Sequence, residues 1–141
     1  MTEVVEILLV EDNPLDAELT LRALSKRHLS NKVHWAKDGV EALDFLFPKE
    51  GMPTNHIKVV FLDLKLPKIN GLEVLQRIRS EEKTQTLPVV MLTSSGESPD
   101  VKAAYALGIN SYIVKPIDFN NFSEVVAQLG FYWTIINKPP E

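Results

Sequence analysis

The sequence predicts an α/β fold in which a five-stranded parallel sheet is covered by helices on both faces. Three observations point to it. Short apolar, β-rich runs occur at Ile7–Val10, 33–36, 59–63, 88–93 and 111–114. Segments with helical spacing of apolar residues separate them. The two kinds of segment alternate five times, the signature of right-handed βαβ crossovers. Strands buried on both faces read as continuous apolar runs, and Ile7-Leu8-Leu9-Val10 and Val59-Val60-Phe61-Leu62 do so.

The helices announce their own starts. Asn13 is placed as an N-cap, with Pro14 at the first helical position and Asp16 at the third. Asp38-Gly39-Val40-Glu41 opens a second helix, with Glu41 spaced to close a capping box. Over 71–80, Leu72, Leu75 and Ile78 form one stripe. Ser98-Pro99-Asp100 opens a fourth helix and Gly108 ends it. The last helix carries Phe122, Val125, Val126, Leu129, Trp133 and Ile136 on a core-facing stripe, leaving Phe131, Tyr132 and Ile135 largely off it. Residues 48–55, with two prolines and a glycine, read as a surface loop. One domain over 1–141 is expected, with its core from about 6 to 136 and a flexible tail over 137–141.

Composition narrows the function. Of 141 residues, 45% are apolar or aromatic and 24% are charged, enough to build a packed core. A net charge of −4 without any basic run argues against nucleic acid as a partner. The lack of cysteine excludes disulfides and thiolate metal sites. Neither a signal peptide nor an apolar run of membrane-spanning length is present, so a cytoplasmic location is expected and a membrane is not. His28, His34 and His56 show no ligand spacing and read as structural.

The strand ends carry the chemistry. In a parallel sheet every strand opens on the same edge, where ligands bind. Glu11 and Asp12 follow the first strand, Asp63 ends the third, Thr93 ends the fourth and Lys115 follows the fifth. Crowded carboxylates repel one another, and a divalent cation removes the difficulty. Oxygen-only ligands favour a hard ion such as Mg²⁺. An ammonium and a hydroxyl beside such an ion suit a phosphoryl group, and a carboxylate can accept that group as a nucleophile.

These residues, in this order, resemble the receiver domain of two-component response regulators. The resemblance spans about Glu6 to Ile136. It rests on Glu11-Asp12, on Asp63-Leu64-Lys65-Leu66-Pro67 with Gly71, on Thr93-Ser94-Ser95 and on Lys115-Pro116. It implies a flavodoxin-like (βα)5 three-layer sandwich with strand order 2-1-3-4-5. It implies that Asp63 is phosphorylated, and that Glu11, Asp12, Asp63 and the backbone carbonyl of Lys65 hold Mg²⁺. Thr93 and Lys115 would bind the phosphoryl oxygens, and the Lys115–Pro116 peptide bond is expected to be cis. Thr93 and Tyr112 would form a two-state switch read out on the fourth helix, fifth strand and fifth helix. The longer segment between Gly39 and Val59, with the aromatic run Phe131-Tyr132-Trp133, resembles the single-domain regulators paired with phytochromes.

A histidine kinase of phytochrome type is therefore the expected phosphodonor. The chain is expected to act without turnover of a separate substrate. With no output module after Glu141, its message would pass by docking to a downstream protein, and the off-stripe aromatics suggest a homodimer. A Mg²⁺-dependent aspartyl-phosphate phosphohydrolase is a rival class. Such enzymes place a second Asp two residues after the nucleophile, where this chain has Lys65. A phosphate-independent interaction module is the third reading.

Overall fold

The computed structural model describes residues 4–49, 56–115 and 118–140. Five strands, β1 (Ile7–Val10), β2 (Val33–Ala36), β3 (Val59–Leu62), β4 (Val89–Thr93) and β5 (Ser111–Val114), alternate with five helices. The helices are α1 (Pro14–Ser25), α2 (Gly39–Leu46), α3 (Gly71–Ser80), α4 (Ser98–Ala106) and α5 (Phe119–Phe131). The strands pair in parallel in the order β2-β1-β3-β4-β5, the expected flavodoxin-like arrangement.

Strand period explains the two cores. Successive side chains point to opposite faces. Leu8, Val10, Val60, Leu62 and Met91 therefore pack with Ala42, Val74, Leu75 and Ile78 of α2 and α3, joined by Ala104 of α4. Ile7, Leu9, Phe61, Val90 and Leu92 pack with Ala17 and Leu24 of α1 and Phe122 and Val126 of α5. This division is why the central strands tolerate no polar residue until their last position.

Most helix boundaries follow their local chemistry. The Asn13 side chain accepts from the amides of Leu15 and Asp16. Asp38 accepts from the Glu41 amide, but the Glu41 carboxylate accepts from Lys37 N–H, so the expected reciprocal box does not close. A full capping box forms instead on α3, between Asn70 and Glu73. Gly108, at φ +93°, ends α4 as expected.

The C-terminal helix departs from regular spacing. After Phe131 the chain enters a π turn, Tyr132–Ile136, closed by Asn137 N–H donating to the Tyr132 carbonyl at 2.7 Å. The wider turn shifts the register of side chains. Thr134 becomes buried, whereas Ile136, expected on the core stripe, is 59% exposed. Phe131 lies half-buried beneath the Arg27 guanidinium, 5.0 Å from its ring centre. Tyr132 and Ile135 are exposed, as their off-stripe positions require. Residues 50–55 of the expected loop lie outside the described residues. Among those described, no helix is long and apolar enough to cross a membrane.

One arginine fastens the edge of the sheet. Arg79 on α3 donates to the Gly108 carbonyl, the Leu87 carbonyl and Asn110 Oδ1, at 2.7–3.0 Å. It thereby joins α3 to both turns that flank β4 and β5. Arg79→Ala should destabilise the chain by about 2 kcal/mol, since several charge-assisted bonds are lost together. Urea unfolding would check this, and an unchanged midpoint would contradict it.

Candidate phosphoryl-acceptor site

Strand register assembles the site. Val10 lies opposite Leu62, so Glu11 and Asp63 leave β1 and β3 side by side. Asp63 N–H donates to the Val10 carbonyl at 3.0 Å, and Glu11 N–H to the Ala36 carbonyl at 3.1 Å. Leu62 lies opposite Met91 and Thr93 opposite Val114, which carries the same edge across to β4 and β5. Lys115 N–H then donates to the Thr93 carbonyl at 2.7 Å. Strand ends that are far apart in sequence are thus level in space.

The charged side chains meet there. Ligand oxygens of Glu11, Asp12 and Asp63 all lie within 4.8 Å of one another. Lys115 Nζ reaches over them, donating to Glu11 Oε1 at 2.7 Å and standing 3.6 Å from Asp63 Oδ2. It also donates to Asp16 Oδ2 at 2.9 Å. Burial opposes the Lys115 charge, but hydrogen bonds to Glu11 and Asp16 and the charge of Asp63 outweigh it, so its pKa is raised. Glu11 is 3% exposed. Burial pushes its pKa up to about 7, Lys115 counters this, and the Asp63 charge adds to the rise. A carboxyl held near neutrality among two further acids lacks positive charge. Three hard oxygen donors at this spacing fit a small divalent cation.

Neighbouring groups hold the acids in place. Trp35 Nε1–H donates to the Glu11 carbonyl at 2.7 Å, and Asn13 N–H to Glu11 Oε2 at 3.2 Å. Gly71 is required at its position, because a Cβ there would lie 2.3 Å from the Asp63 carbonyl oxygen. The loop from Asp63 to Gly71 is drawn in by Gly71 N–H donating to the Leu64 carbonyl at 2.7 Å. Lys65 is exposed on this loop, two residues beyond Asp63.

Thr93 and Tyr112 are joined through Ser95. The buried Thr93 hydroxyl accepts from Ser95 N–H at 3.2 Å, and Tyr112 O–H donates to the Ser95 carbonyl at 2.7 Å. The Ser95 hydroxyl donates to Asp100 in the first turn of α4. Tyr112 is half-buried, and its pKa is raised chiefly by burial. Glu11, Asp12, Asp63, Thr93 and Lys115 therefore occupy one edge, with Lys65 on the adjoining loop. Pro116, and with it the expected cis bond, lies outside the described residues.

Sequence reasoning missed three contributors. Asp16 was legible only as a first-turn helix acid. Trp35 gave no signal beyond a strand aromatic, and Asp100 none beyond a helix start. Each acts through a partner that the tertiary fold brings near.

Comparison with known proteins agrees with this geometry. The family model of the response regulator receiver domain matches residues 7–127. A curated relative, "Probable methanogenesis regulatory protein FilR2" of Methanothrix harundinacea (strain 6Ac), is 40% identical over 95% of this chain and 86% of its own length. The structure of the phosphorylated cyanobacterial phytochrome response regulator RcpA matches with a TM-score of 0.86 at 30% identity, covering 99% of this chain and 100% of that one. The bacteriophytochrome response regulator RtBRR is 49% identical with a TM-score of 0.70, covering 98% of this chain and 85% of that one. A matching strand order, an acidic strand edge and a family match over most of the chain lead to one conclusion: the chain belongs to the response regulator receiver domain family.

Proposed function

We propose that this chain is a phosphorylation-switched signalling protein that takes a phosphoryl group from a histidine kinase onto Asp63. The observation that carries the reading is Lys115 Nζ lying over Glu11 and Asp63, within a cluster of three carboxylates. An Asp63 carboxylate oxygen forms a bond to phosphorus as the P–N bond of the donor phosphohistidine breaks. The bonding electrons return to the imidazole nitrogen. Lys115 and the Thr93 hydroxyl then donate to phosphoryl oxygens. Mg²⁺, held by Glu11, Asp12, Asp63 and the Lys65 carbonyl, would neutralise charge on the transferring group. No separate substrate is turned over.

The donor is proposed to be a phytochrome-type kinase. Likeness to RcpA and RtBRR supports this, together with the aromatic C-terminal run. The output is proposed to be a change of the α4–β5–α5 surface that governs docking to a downstream protein or to a second copy. For the second copy, the support is apolar. Tyr132, Ile135 and Ile136 are exposed, and Tyr132 and Ile136 line a groove of about 420 Å³ with Ile113, Val125, Leu129 and Phe131, bordered by Arg27 and Gln128. Exposed apolar side chains beside a largely apolar groove suit an isologous contact.

Three measurements test the proposal. Beryllofluoride with Mg²⁺ should change Trp35 fluorescence, because Trp35 is bonded to the Glu11 carbonyl. The response should vanish in Asp63→Asn, and a wild-type protein that does not respond would favour a phosphate-independent module.

Metal affinity should depend on pH. With its pKa raised to about 7, the Glu11 carboxyl of the free site gains its proton as the pH falls below that value. The ion must displace that proton, so affinity should weaken about tenfold per unit fall in pH below 7 and level off above it. Equal affinities at pH 6 and pH 8 would refute this.

Light scattering at micromolar concentration should give a dimer that Ile135→Glu with Ile136→Glu dissociates. A wild-type monomer, with and without beryllofluoride, would sink the dimer.

A further inference from the structure

We propose that Asp16 is a positioning residue for phosphoryl binding: it holds the Lys115 ammonium over Asp63 when Glu11 and Asp63 are engaged elsewhere. The inference rests on the phosphoacceptor reading above. Lys115 Nζ has three protons to donate and faces three carboxylates, at 2.7 Å (Glu11), 2.9 Å (Asp16) and 3.6 Å (Asp63). Two of these belong to the acidic cluster whose oxygens lie within 4.8 Å of one another. Asp16 does not. It stands on α1, a turn beyond the cluster, and is the only one of the three left to Lys115 once a cation and a phosphoryl group claim the others.

The hydrogen bonds that Asp16 makes within α1 come from its backbone and not from its carboxylate. Asn13 provides the cap, and Asp16 contributes its backbone N–H to Asn13 Oδ1 and its carbonyl to the Thr20 hydroxyl. A first-turn acid commonly serves the helix dipole. Here the side chain instead reaches a lysine 99 residues away in sequence. The Lys115 side chain is 14% exposed and that of Asp16 36%, so the pair is sheltered on the lysine side and open to water on the other. Lysine carries four rotatable side-chain bonds, and a fixed second anchor limits where its ammonium can go.

The proposal has a sign that simple electrostatics does not share. Removing a negative charge near the site should, through charge alone, tighten binding of an anionic phosphoryl analogue. Loss of positioning should weaken it. Asp16→Asn and Asp16→Glu can therefore be compared with wild type by calorimetric titration, first with Mg²⁺ alone and then with beryllofluoride at saturating Mg²⁺. We expect Asp16→Asn to weaken beryllofluoride binding by about three- to tenfold, the loss of one charge-assisted bond partly open to water. Its Mg²⁺ affinity should fall by less than this, because Asp16 is outside the cluster whose oxygens would hold the ion. Asp16→Glu, which keeps a carboxylate within reach, should retain most of the beryllofluoride affinity. Unchanged or tighter beryllofluoride binding in Asp16→Asn would overturn the proposal. So would equal losses for both ligands, which would mark a general structural role. A wild type that binds Mg²⁺ but not beryllofluoride would overturn the phosphoacceptor reading, and this inference with it.

Discussion

Glu11 is a carboxylate at the end of a wholly buried strand, and it is nearly as buried as the leucines before it. Water cannot solvate it there, and an uncompensated buried charge is among the costliest features a fold can contain. The compensation comes from Lys115, 104 residues later. That pairing constrains everything between. β3 must lie beside β1, and β4 and β5 must follow outward, before the lysine can reach back over the edge. The sheet order thus has a polar consequence as well as an apolar cause. One ammonium does not balance the acids grouped beneath it, and Glu11 stays poised near neutral pH. The site is held together while still favouring added positive charge.

The two loops beside Asp63 are secured differently. The loop that carries Asp63 is pinned at several points. Gly71 N–H binds the Leu64 carbonyl, and Lys68, at φ +67°, pairs with the Asp38 carboxylate at 3.1 Å. Asp38 is itself held below its usual carboxylate range by the Glu41 amide and by Lys68. Gly39 lets this loop approach α2, since a Cβ would lie 2.6 Å from the Ile69 carbonyl oxygen. In the loop after β4, Ser95 is buried. It is held by hydrogen bonds, of which one ends on the Thr93 hydroxyl.

The fold was legible because its signals are local. Apolar runs of four or five residues, Asn13 before Pro14, and Gly108 after Leu107 each specify an element from their own chemistry. The acidic edge was legible for a related reason: Asp63 interrupts a strand that otherwise contains no polar residue. Asp16 was not, because acids in a first helical turn are common and nothing local distinguishes one that reaches a distant lysine. Ile136 was misplaced because its position depends on a π turn. Gly130 packs so closely on Leu24 that a Cβ would lie 2.5 Å from it, and Thr134 turns its hydroxyl back to the Gly130 carbonyl at 2.6 Å. The first constraint comes from α1 lying against α5, which helical spacing alone does not encode, and the second is a bond within the C-terminal helix itself. The capping box was expected at α2 from residue spacing alone. Glu41 has the right spacing, but the Lys37 amide is the donor it meets.

Ser95 shows how a small displacement at the site could become a larger one elsewhere. Its N–H is bound to Thr93, its carbonyl to Tyr112 and its hydroxyl to Asp100. If the site takes a phosphoryl group as proposed, the Thr93 hydroxyl would donate its one proton to a phosphoryl oxygen, and the lone pairs of Thr93 Oγ1 would turn away from Ser95. The Ser95 N–H would then lose alignment with its acceptor, and a buried N–H without a partner is unfavourable. On the proposed reading the backbone at Ser95 would move to restore it, and would carry both the Tyr112 and the Asp100 contacts with it. Neither contact reports on phosphate directly. Each depends on where one residue sits, and that residue depends on Thr93. Coupling of this kind would need no long path through the core: three bonds to a single serine connect the strand edge at Thr93 to β5 and to the first turn of α4.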